Sequence, residues 1–274
     1  MSEYVHRLHA RGITAGYHVR PILAELSVTI PDNSFTVIIG PNACGKSTLL
    51  RALSRLLSPS AGAVLLDGRD IAAYPATEVA RRLGLLPQSA IAPDGILVSD
   101  LVARGRFPHQ SFFRQWSRAD EEAVARAMEA TGISDLAARS VDELSGGQRQ
   151  RVWVAMVLAQ ETPLLLLDEP TTFLDIAHQI ELLDLCHDLN RGGGRTVVAV
   201  LHDLNQACRY ASHMIAMRDG AIVAEGKPSD IVTAEMVERV FGLSAVIIED
   251  PVCGTPLVVP RGRREAVTSA ALSA

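Results

Sequence analysis

The stretch GPNACGKST, residues 40–48, decides the fold of this chain. It fits the pattern G-x-x-x-x-G-K-[ST], and it lies between the apolar run FTVIIG (35–40) and the helical pattern KSTLLRALSRLL (46–57). In a strand, loop and helix of this kind, the backbone N–H groups of the loop point at phosphate groups, and the helix contributes its positive end. The stretch therefore predicts an α/β fold with a site for the phosphates of a nucleotide.

The position of each residue in this loop suggests its task. Lys46 is expected to reach the β and γ phosphates, and the Ser47 hydroxyl is expected to hold Mg²⁺. The other residues of the predicted phosphate cradle are Gly40, Pro41, Asn42, Ala43, Cys44, Gly45 and Thr48. The loop thus predicts a nucleoside triphosphate and Mg²⁺ as ligands.

Two further buried strands are predicted in PLLLLDEP (163–170) and TVVAVLHD (196–203). Four leucines in a row suit a strand that is covered on both faces, and the alternation of strands with helices indicates a mainly parallel sheet. A carboxylate at the end of a neighbouring parallel strand emerges beside the phosphate loop. We therefore expect Asp168 to orient Mg²⁺ and Glu169 to act as general base on the attacking water, which contributes about 10²–10⁴-fold.

A second candidate for anion binding is ELSGGQRQR, residues 143–151. Ser145 and Gln148 form a capping-box pattern at the start of a predicted helix. Gly146 and Gly147 in the first turn leave backbone N–H groups open to an anion. The chain thus carries two phosphate-binding elements about 100 residues apart, and the task of the second one needs an explanation.

The bulk composition limits the class of protein. Hydrophobic residues make up 48% of the 274 residues, enough for a sizeable core, and the net charge of −5 argues against nucleic acid as the main partner. The longest apolar run, 152–159, is far shorter than the roughly 20 residues of a membrane-spanning helix. The sequence begins without an apolar h-region, so we expect no signal peptide. Its four cysteines form no CxxC pair, so we expect no zinc site and four unbridged thiols.

The sequence predicts one domain over residues 1–260 and a disordered tail over 261–274. Between about 90 and 145 the pattern is helical and has no long β-branched run, so we predict an inserted helical subdomain. Within it, Ser117 and Asp120 predict the cap of a helix.

Two local patterns predict further elements nearer the C-terminus. IAHQIELLDLCHDLN (176–190) predicts an amphipathic helix that ends at RGGGR (191–195). Its apolar stripe is expected to hold Ile176, Ile180, Leu183 and Cys186. MIAMRDGAIVAEG (214–226) predicts a hairpin with its turn at Asp219–Gly220.

Taken together, these motifs resemble the ATP-binding-cassette (ABC) ATPases, whose signature is LSGGQ, here residues 144–148. The resemblance covers nearly the whole chain. It implies a phosphate-loop core with a mainly parallel sheet, an antiparallel β subdomain and an inserted helical subdomain. In that family two cassettes pair head to tail, and each ATP lies between the phosphate loop of one chain and the signature of the other. The second anion site is therefore expected to serve the ATP of a second copy of this chain.

The resemblance assigns roles to four more residues. Tyr17 in AGYHVRPIL resembles the aromatic residue that stacks on adenine, although a strand-edge tyrosine is the alternative. Gln88 in GLLPQS resembles the glutamine near Mg²⁺ and the attacking water. Asp175 in TTFLD resembles the aspartate that crosses the dimer, and His202 in VLHD resembles the histidine that contacts the γ-phosphate.

The phosphate loop departs from the family at Ala43, where glycine is usual. If the backbone takes a positive φ there, alanine costs roughly 1 kcal/mol or more. We expect ATP to bind nevertheless. Next to it, Cys44 lies in the loop itself, so its alkylation is expected to block ATP binding and bound ATP is expected to protect it.

The segment ARGRFPHQSFFRQW (103–116), which we call the aromatic segment, favours a role in transport. It follows Gln88, where importer cassettes contact membrane subunits. It holds four of the twelve aromatic residues of the chain: Phe107, Phe112, Phe113 and Trp116. So dense a cluster predicts a docking patch; the alternative is that these side chains form the small core of the helical subdomain.

The wording of several motifs resembles cassettes of iron(III)–siderophore importers, among them RGRFPHQ (104–110), LLLLDEPTTFLDIAHQIELLDL (164–185) and FGLSAVIIEDPVCGTPLVVP (241–260). This resemblance implies a peripheral ATPase at the cytoplasmic face of the membrane, which drives a permease served by a substrate-binding protein. Haem or cobalamin import is the alternative within transport. A soluble cassette for iron–sulfur cluster assembly is another; a DNA-repair ATPase is disfavoured because no coiled coil separates the two halves of the site.

Overall fold

The computed structural model describes residues 6–17, 20–88, 91–110 and 116–262, with only the main chain of Arg20. The strands are β1 (Leu8–Tyr17), β2 (Arg20–Ile30), β3 (Phe35–Ile39), β4 (Ala61–Leu66), β5 (Arg69–Asp70), β6 (Leu83–Leu86), β7 (Leu164–Asp168), β8 (Thr196–Val200), β9 (His213–Arg218), β10 (Ala221–Gly226), β11 (Ala245–Glu249) and β12 (Pro256–Pro260). The α-helices are α1 (Lys46–Leu53), α2 (Ala76–Arg82), α3 (Val98–Ala103), α4 (Arg118–Ala130), α5 (Gly146–Ala159), α6 (Ile176–Gly193), α7 (Leu204–Tyr210), α8 (Pro228–Ile231) and α9 (Ala234–Phe241). Short 3-10 helices span Ile71–Ala73, Arg104–His109, Ser134–Leu136 and Val141–Glu143.

The central sheet has six strands in the order β10-β9-β3-β8-β7-β6. The pairs from β9 to β6 are parallel, and β10 pairs antiparallel with β9. Every residue of β3, β7 and β8 is buried, as their continuous apolar sequences predict for strands that are covered on both faces. The prediction of a mainly parallel sheet is confirmed.

A second sheet is antiparallel, with the strand order β2-β1-β4-β5. Helix α1 packs against strands of both sheets, because it contacts β1, β2 and β7. Its side chains Leu49, Leu50 and Leu53 are fully buried in one core with residues of both sheets. The phosphate loop at the start of α1 is thereby fixed between two rigid layers.

Helices α3, α4 and α5 pack against one another beside the central sheet. Ser117 caps α4 as predicted: its Oγ accepts a hydrogen bond from Asp120 N at 3.3 Å, and its own N–H donates to Asp120 Oδ2 at 3.0 Å. Leu101, Trp153 and Phe35 belong to one continuous apolar core. The helical segment and the central sheet therefore share their interior.

Two sequence expectations about helices need correction. The helical pattern at 46–57 gives a helix that already ends at Leu53, because Arg55 adopts a left-handed φ of 65°. In α6, Leu183 and Cys186 are buried as predicted, but Ile176 is 78% exposed. The nearby Phe173 is exposed as well, so the core does not extend to the first turn of α6.

The predicted chain reversals are confirmed. Helix α6 ends at Gly193, within the predicted RGGGR stretch, and Gly194 follows it with a left-handed φ of 60°. Asp219 and Gly220 have φ angles of 50° and 80°, the positive values that a tight two-residue hairpin turn requires.

All four cysteines have free thiols. Among the residues that the structure describes, no helix combines the length and hydropathy needed to cross a bilayer.

Candidate active site

The predicted phosphate loop lies at the carboxyl end of the central sheet. Four parallel strands end there: β3 leads into the loop, β6 leads to Gln88, β7 ends at Asp168, and β8 leads to His202. Ligands of open α/β sheets bind at this edge. A cleft of 430 Å³ lies here, lined by Ile22, Asn42, Ala43, Gly45, Lys46, Ser47, Thr48, Gln88, Glu169 and His202. The structure thus brings most of the sequence-predicted hydrolysis residues into one cleft.

The loop is held in a conformation that needs glycine at its start. Gly40 has a φ of 152°, and a Cβ there would overlap the carbonyl oxygen of Met217. Further along, Ala43 takes a left-handed φ of 62°, so the condition for strain at this non-glycine position is met. The carbonyl of Cys44 accepts a hydrogen bond from Gly220 N at 2.9 Å, which ties the loop to the hairpin turn.

The ammonium group of Lys46 is enclosed by its own loop. Its Nζ donates hydrogen bonds of 2.9 Å to the carbonyl oxygens of Gly40 and Pro41, and the residue is only 5% exposed. A buried lysine charge requires such partners. The positive charge is therefore already positioned at the centre of the loop, where an anion can approach.

Ser47 and Asp168 join the loop to the end of β7. Ser47 Oγ donates a hydrogen bond of 2.9 Å to Asp168 Oδ1. Burial raises the pKa of Asp168, and the neighbouring Glu169 adds to this, while the Ser47 hydrogen bond opposes it. A hydroxyl and a partly desolvated carboxylate are hard oxygen ligands of the kind that Mg²⁺ uses together with substrate phosphates. The two residues therefore fit a Mg²⁺ site.

Glu169 and His202 are in contact with each other in the first cleft. His202 Nε2 lies 2.9 Å from Glu169 Oε1, and the Thr172 hydroxyl lies 3.4 Å from Glu169 Oε2. The side chain of Glu169 is 11% exposed, whereas that of His202 is 47% exposed. Glu169 also has a left-handed φ of 54°, a conformation that costs about 1–3 kcal/mol in a non-glycine residue. The fold thus holds this carboxylate in a strained position that points into the cleft.

The signature residues line a different cleft. Helix α5 begins at Gly146 with the predicted capping box: Ser145 Oγ accepts from Gln148 N at 3.2 Å, and Ser145 N donates to Gln148 Oε1 at 3.1 Å. The second cleft measures 510 Å³ and is lined by Ser145, Gly146, Gly147, Gln148, Arg151, Phe173, Leu174, Asp175 and His178. It shares no lining residue with the first cleft. Within one chain, the signature and the phosphate loop therefore line separate clefts.

Asp175 lies at the rim of this second cleft. Its carboxylate caps α6 by accepting from His178 N at 3.0 Å, and it also lies 2.7 Å from His178 Nδ1. These hydrogen bonds lower the pKa of Asp175. Its side chain is 67% exposed, so it remains accessible to a second chain.

Tyr17 does not line the first cleft. It is 42% exposed, and its hydroxyl accepts a 2.6 Å hydrogen bond from Arg51 on α1. Ile22, which the sequence reasoning missed, lines the cleft instead. A lone isoleucine in a strand carries no signal that would have revealed it.

Arg151 was missed in the second cleft, although it closes the ELSGGQRQR stretch. Its Nε is buried and has no hydrogen-bond partner among the described residues. It lies between the signature cleft and a neighbouring cavity of 260 Å³ that also holds Glu129 and Glu181. A second basic residue three positions beyond the signature glutamine was the available clue.

The structure describes residues 103–110 and 116 of the aromatic segment. Phe107 is 59% exposed and Trp116 is 48% exposed, so neither side chain is enclosed in a core. Phe112 and Phe113 lie outside the described residues. Exposure of the two described rings is what a docking patch requires.

Cys44 is less accessible than its position in the loop suggests. The residue is 3% exposed, and burial raises the pKa of its thiol although the nearby Lys46 opposes this shift. The thiolate is the reactive form. The expected alkylation at this position must therefore be slow.

Comparisons with known proteins agree with this geometry. The ABC transporter family profile matches residues 23–172. The ferric enterobactin transport ATP-binding protein FepC of Escherichia coli K12 is 63% identical over 96% of this chain and 97% of its own. The achromobactin transport ATP-binding protein CbrD of Dickeya dadantii 3937 is 51% identical over 93% of this chain and 95% of its own.

One solved structure with a similar fold is an assembly of two chains. It is the dimer of an ATP-binding cassette in a post-hydrolysis state, bound to ADP and phosphate. It superposes with a TM-score of 0.72 and 27% identity over 80% of this chain and 98% of that one. This chain therefore belongs to the ABC transporter family, as an ATP-hydrolysing cassette.

Proposed function

We propose that this chain hydrolyses ATP to drive import of an iron(III)–siderophore complex through a separate membrane permease. The observation that carries the proposal is the 63% identity to a ferric enterobactin transport subunit over 96% of this chain. The cargo itself is bound by other subunits, so the class of cargo is inferred from the relative.

Within the first cleft, we assign roles from the contacts. Lys46 binds the β and γ phosphates by leaving its two loop carbonyls, at 2.9 Å, for stronger anionic acceptors. Ser47 and Asp168 would hold Mg²⁺, which neutralises phosphate charge when bound. Gln88 lines the same cleft and is exposed, so it can contact both the metal site and water.

Glu169 is the proposed general base. A water between its carboxylate and the γ-phosphate would lose a proton to Glu169 during in-line attack. His202, 2.9 Å from the carboxylate, orients it and contacts the γ-phosphate. Because His202 bonds Oε1, Oε2 is left for the water and the Thr172 hydroxyl at 3.4 Å.

The second cleft is proposed to complete the site of a second copy. Gly146, Gly147 and Ser145 present the amino end of α5, which favours the phosphates of an ATP held by the partner. Asp175 would cross to the partner at the same interface. Tyr17 is proposed to stack on adenine at the outer side of the first cleft.

The aromatic segment is proposed to dock on the permease at the cytoplasmic face of the membrane. Support comes from the exposure of the large aromatic side chains of Phe107 and Trp116. Residues 1–260 are proposed to act as one domain, with 90–145 as its helical subdomain; the core that joins Phe35, Leu101 and Val258 supports this reading.

Radio-iron uptake tests the proposal. Cells that lack this chain would receive either the natural chain or Glu169→Gln, and uptake would be measured from ferric enterobactin and other ferric siderophores. We expect the natural chain alone to restore uptake. Uptake that is indifferent to both would overturn the siderophore assignment.

The same cells discriminate the alternatives. Restored uptake of cobalamin or haem, without iron uptake, would reassign the cargo. Recovery of the chain with a soluble iron–sulfur scaffold, and not with membranes, would favour the assembly role.

A further inference from the structure

The 3-10 helix Arg104–His109 is fastened to the carboxyl end of α5. Arg106 Nη1 donates a 2.7 Å hydrogen bond to Ala159 O, and His109 Nε2 lies 2.8 Å from Gln160 O. Gly105 approaches so closely that a Cβ there would overlap the carbonyl oxygen of Met156. The described part of the aromatic segment therefore rests directly on the last turn of the signature helix.

Arg106 is also the centre of a charge cluster. Its Nε lies 2.9 Å from Asp120 Oδ1 on α4, and its Nη1 lies 2.9 Å from Glu161 Oε2. Glu161 receives a second guanidinium, with Arg126 Nη2 at 3.0 Å. Burial opposes ionisation of Asp120, yet hydrogen bonds from Ser117 and Arg106 hold its pKa below the usual range. A guanidinium with a 7% exposed side chain is thus held by two carboxylates from two elements.

The backbone at Glu161 is unusual for its residue type. It follows α5 with a left-handed φ of 53°, where glycine is the common choice at the end of a helix. A glutamate in this position is strained. The strain is offset where its carboxylate meets Arg106 and Arg126, so the side chain has a task that glycine could not perform.

The carboxyl end of α5 is also hydrogen-bonded to the start of the strand that leads to Gln88. Gln160 Nε2 donates to Ala80 O and, at 3.3 Å, to Leu83 O at the start of β6. Arg81 Nε donates a 2.6 Å hydrogen bond to Pro108 O in the aromatic segment. Four elements therefore meet at this point: the aromatic segment, α2, the strand that leads to Gln88 and the signature helix.

We propose that Arg106, Asp120 and Glu161 form a joint that couples the signature helix to the aromatic segment, with Arg106 as its positioning residue. The inference rests on the proposed function, because the aromatic segment is there assigned to the permease. Helix α5 has 14 residues and spans about 21 Å. Its amino end meets the ATP of a second copy, and its carboxyl end carries the joint. Movement of the signature on dimer closure is therefore passed to the aromatic segment as rigid-body movement of α5.

Two variants separate the joint from simple stability. Arg106→Gln combined with Asp120→Asn removes the link without leaving a buried carboxylate unpaired. Glu161→Gly removes the carboxylate and at the same time relieves the left-handed backbone. Arg118→Gln is the matched control, since it breaks the pair with Glu122 on the same helix at a side chain that is 90% exposed.

Iron uptake and ATP hydrolysis are measured side by side. In cells we expect uptake from ferric enterobactin to fall by about tenfold for both joint variants, a size typical of coupling between sites. Intrinsic ATP hydrolysis of the purified chains should stay within about twofold of the natural chain, because the joint touches neither cleft. The control should match the natural chain in both assays.

A second measurement does not depend on cargo. In the purified Glu169→Gln chain, Mg·ATP should change hydrogen exchange at the amides of residues 104–110, and this response should disappear in both joint variants. An unchanged response, or uptake and hydrolysis that fall together, would overturn the joint. Failure of the natural chain to restore iron uptake would count against the cargo alone, and the exchange response would still decide the joint.

Discussion

The two clefts differ in how complete they are within one chain. In the phosphate-loop cleft the charges already have partners: Lys46 is 5% exposed and doubly hydrogen-bonded, and Asp168 is bonded to Ser47. In the signature cleft the helix end is capped, but Phe173 is 76% exposed and Ile176 is 78% exposed beside it. Folding of the single chain already positions the charged groups of the first cleft, whereas the apolar side chains beside the second cleft remain exposed.

This difference teaches which step each cleft controls. A site that is preorganised in the single chain can bind nucleotide before assembly. Exposed apolar side chains beside a helix end mark a surface that a partner can cover, and we propose that the signature cleft acts once it is covered. On the roles proposed for the two clefts, nucleotide binding depends on folding and hydrolysis depends on association, so substitutions in the two clefts should separate them.

The largest effect is expected for Glu169→Gln. Loss of the general base should lower ATP hydrolysis by about 10²–10⁴-fold, while Mg·ATP affinity stays within a few-fold. Closed dimers should then accumulate, which size-exclusion chromatography with ATP would detect. Glu249→Gln, on β11 and away from both clefts, is the control. Near-normal turnover of Glu169→Gln would remove this residue from the base role.

The sharpest test of the division compares Lys46→Met with Gly146→Asp. Lys46→Met should weaken ATP binding by the single chain more than tenfold, because charge-assisted hydrogen bonds to phosphate are lost. An aspartate at the start of α5 suits the helix but repels the phosphates of a partner's ATP. Gly146→Asp should therefore keep single-chain affinity and lose hydrolysis by about 100-fold, within the range of one missing electrostatic contact. Calorimetry measures the ATP affinity, and a phosphate-release assay measures the rate of hydrolysis. Equal loss of affinity in both variants would mean that the two clefts act as one nucleotide site in the single chain.

A smaller effect is expected at the apolar rim. Phe173→Ser, in the Glu169→Gln background, should weaken ATP-dependent dimerisation by about tenfold or more, since burial of such a side chain contributes about 1.5–3 kcal/mol. Sedimentation at several protein concentrations gives the dissociation constant. Val252→Ser is the matched control, because Val252 is 82% exposed and lies outside both clefts. Equal dimerisation of the two variants would show that the rim stays in water.

The smallest effect is expected for Ala43→Gly. Glycine relieves the left-handed φ of 62°, a change of roughly 1 kcal/mol. ATP affinity should therefore rise by less than about tenfold, as measured by nucleotide titration. A larger gain would mean that the natural loop is impaired.

Much of the first cleft could be predicted from sequence because its parts are local. A buried strand, a glycine loop and a helix define the position of Lys46, and the apolar runs of β7 and β8 place Asp168 and His202 at the same sheet edge. Capping at Ser145 and Ser117 was also local, since each cap lies within four residues.

Features that depend on distant contacts escaped prediction. Ile22 lines the first cleft because β2 is brought next to the loop by the second sheet, which no local pattern encodes. The link from Arg106 to Asp120 and Glu161 spans 14 and 55 residues. The stripe of α6 was wrong at Ile176 because helical periodicity gives a face and cannot show where the core ends.

The cap of α5 allows the Ser145 hydroxyl to serve two purposes at once. A hydroxyl has one hydrogen and two lone pairs, and Ser145 uses a lone pair for Gln148 N at 3.2 Å. Its hydrogen remains free to be donated to a phosphate oxygen. The same atom can therefore hold the helix together in the single chain and grasp a neighbour's nucleotide, with neither task interrupting the other. The proposed dimer could therefore form and separate in each cycle of hydrolysis while the first turn of α5 stays capped.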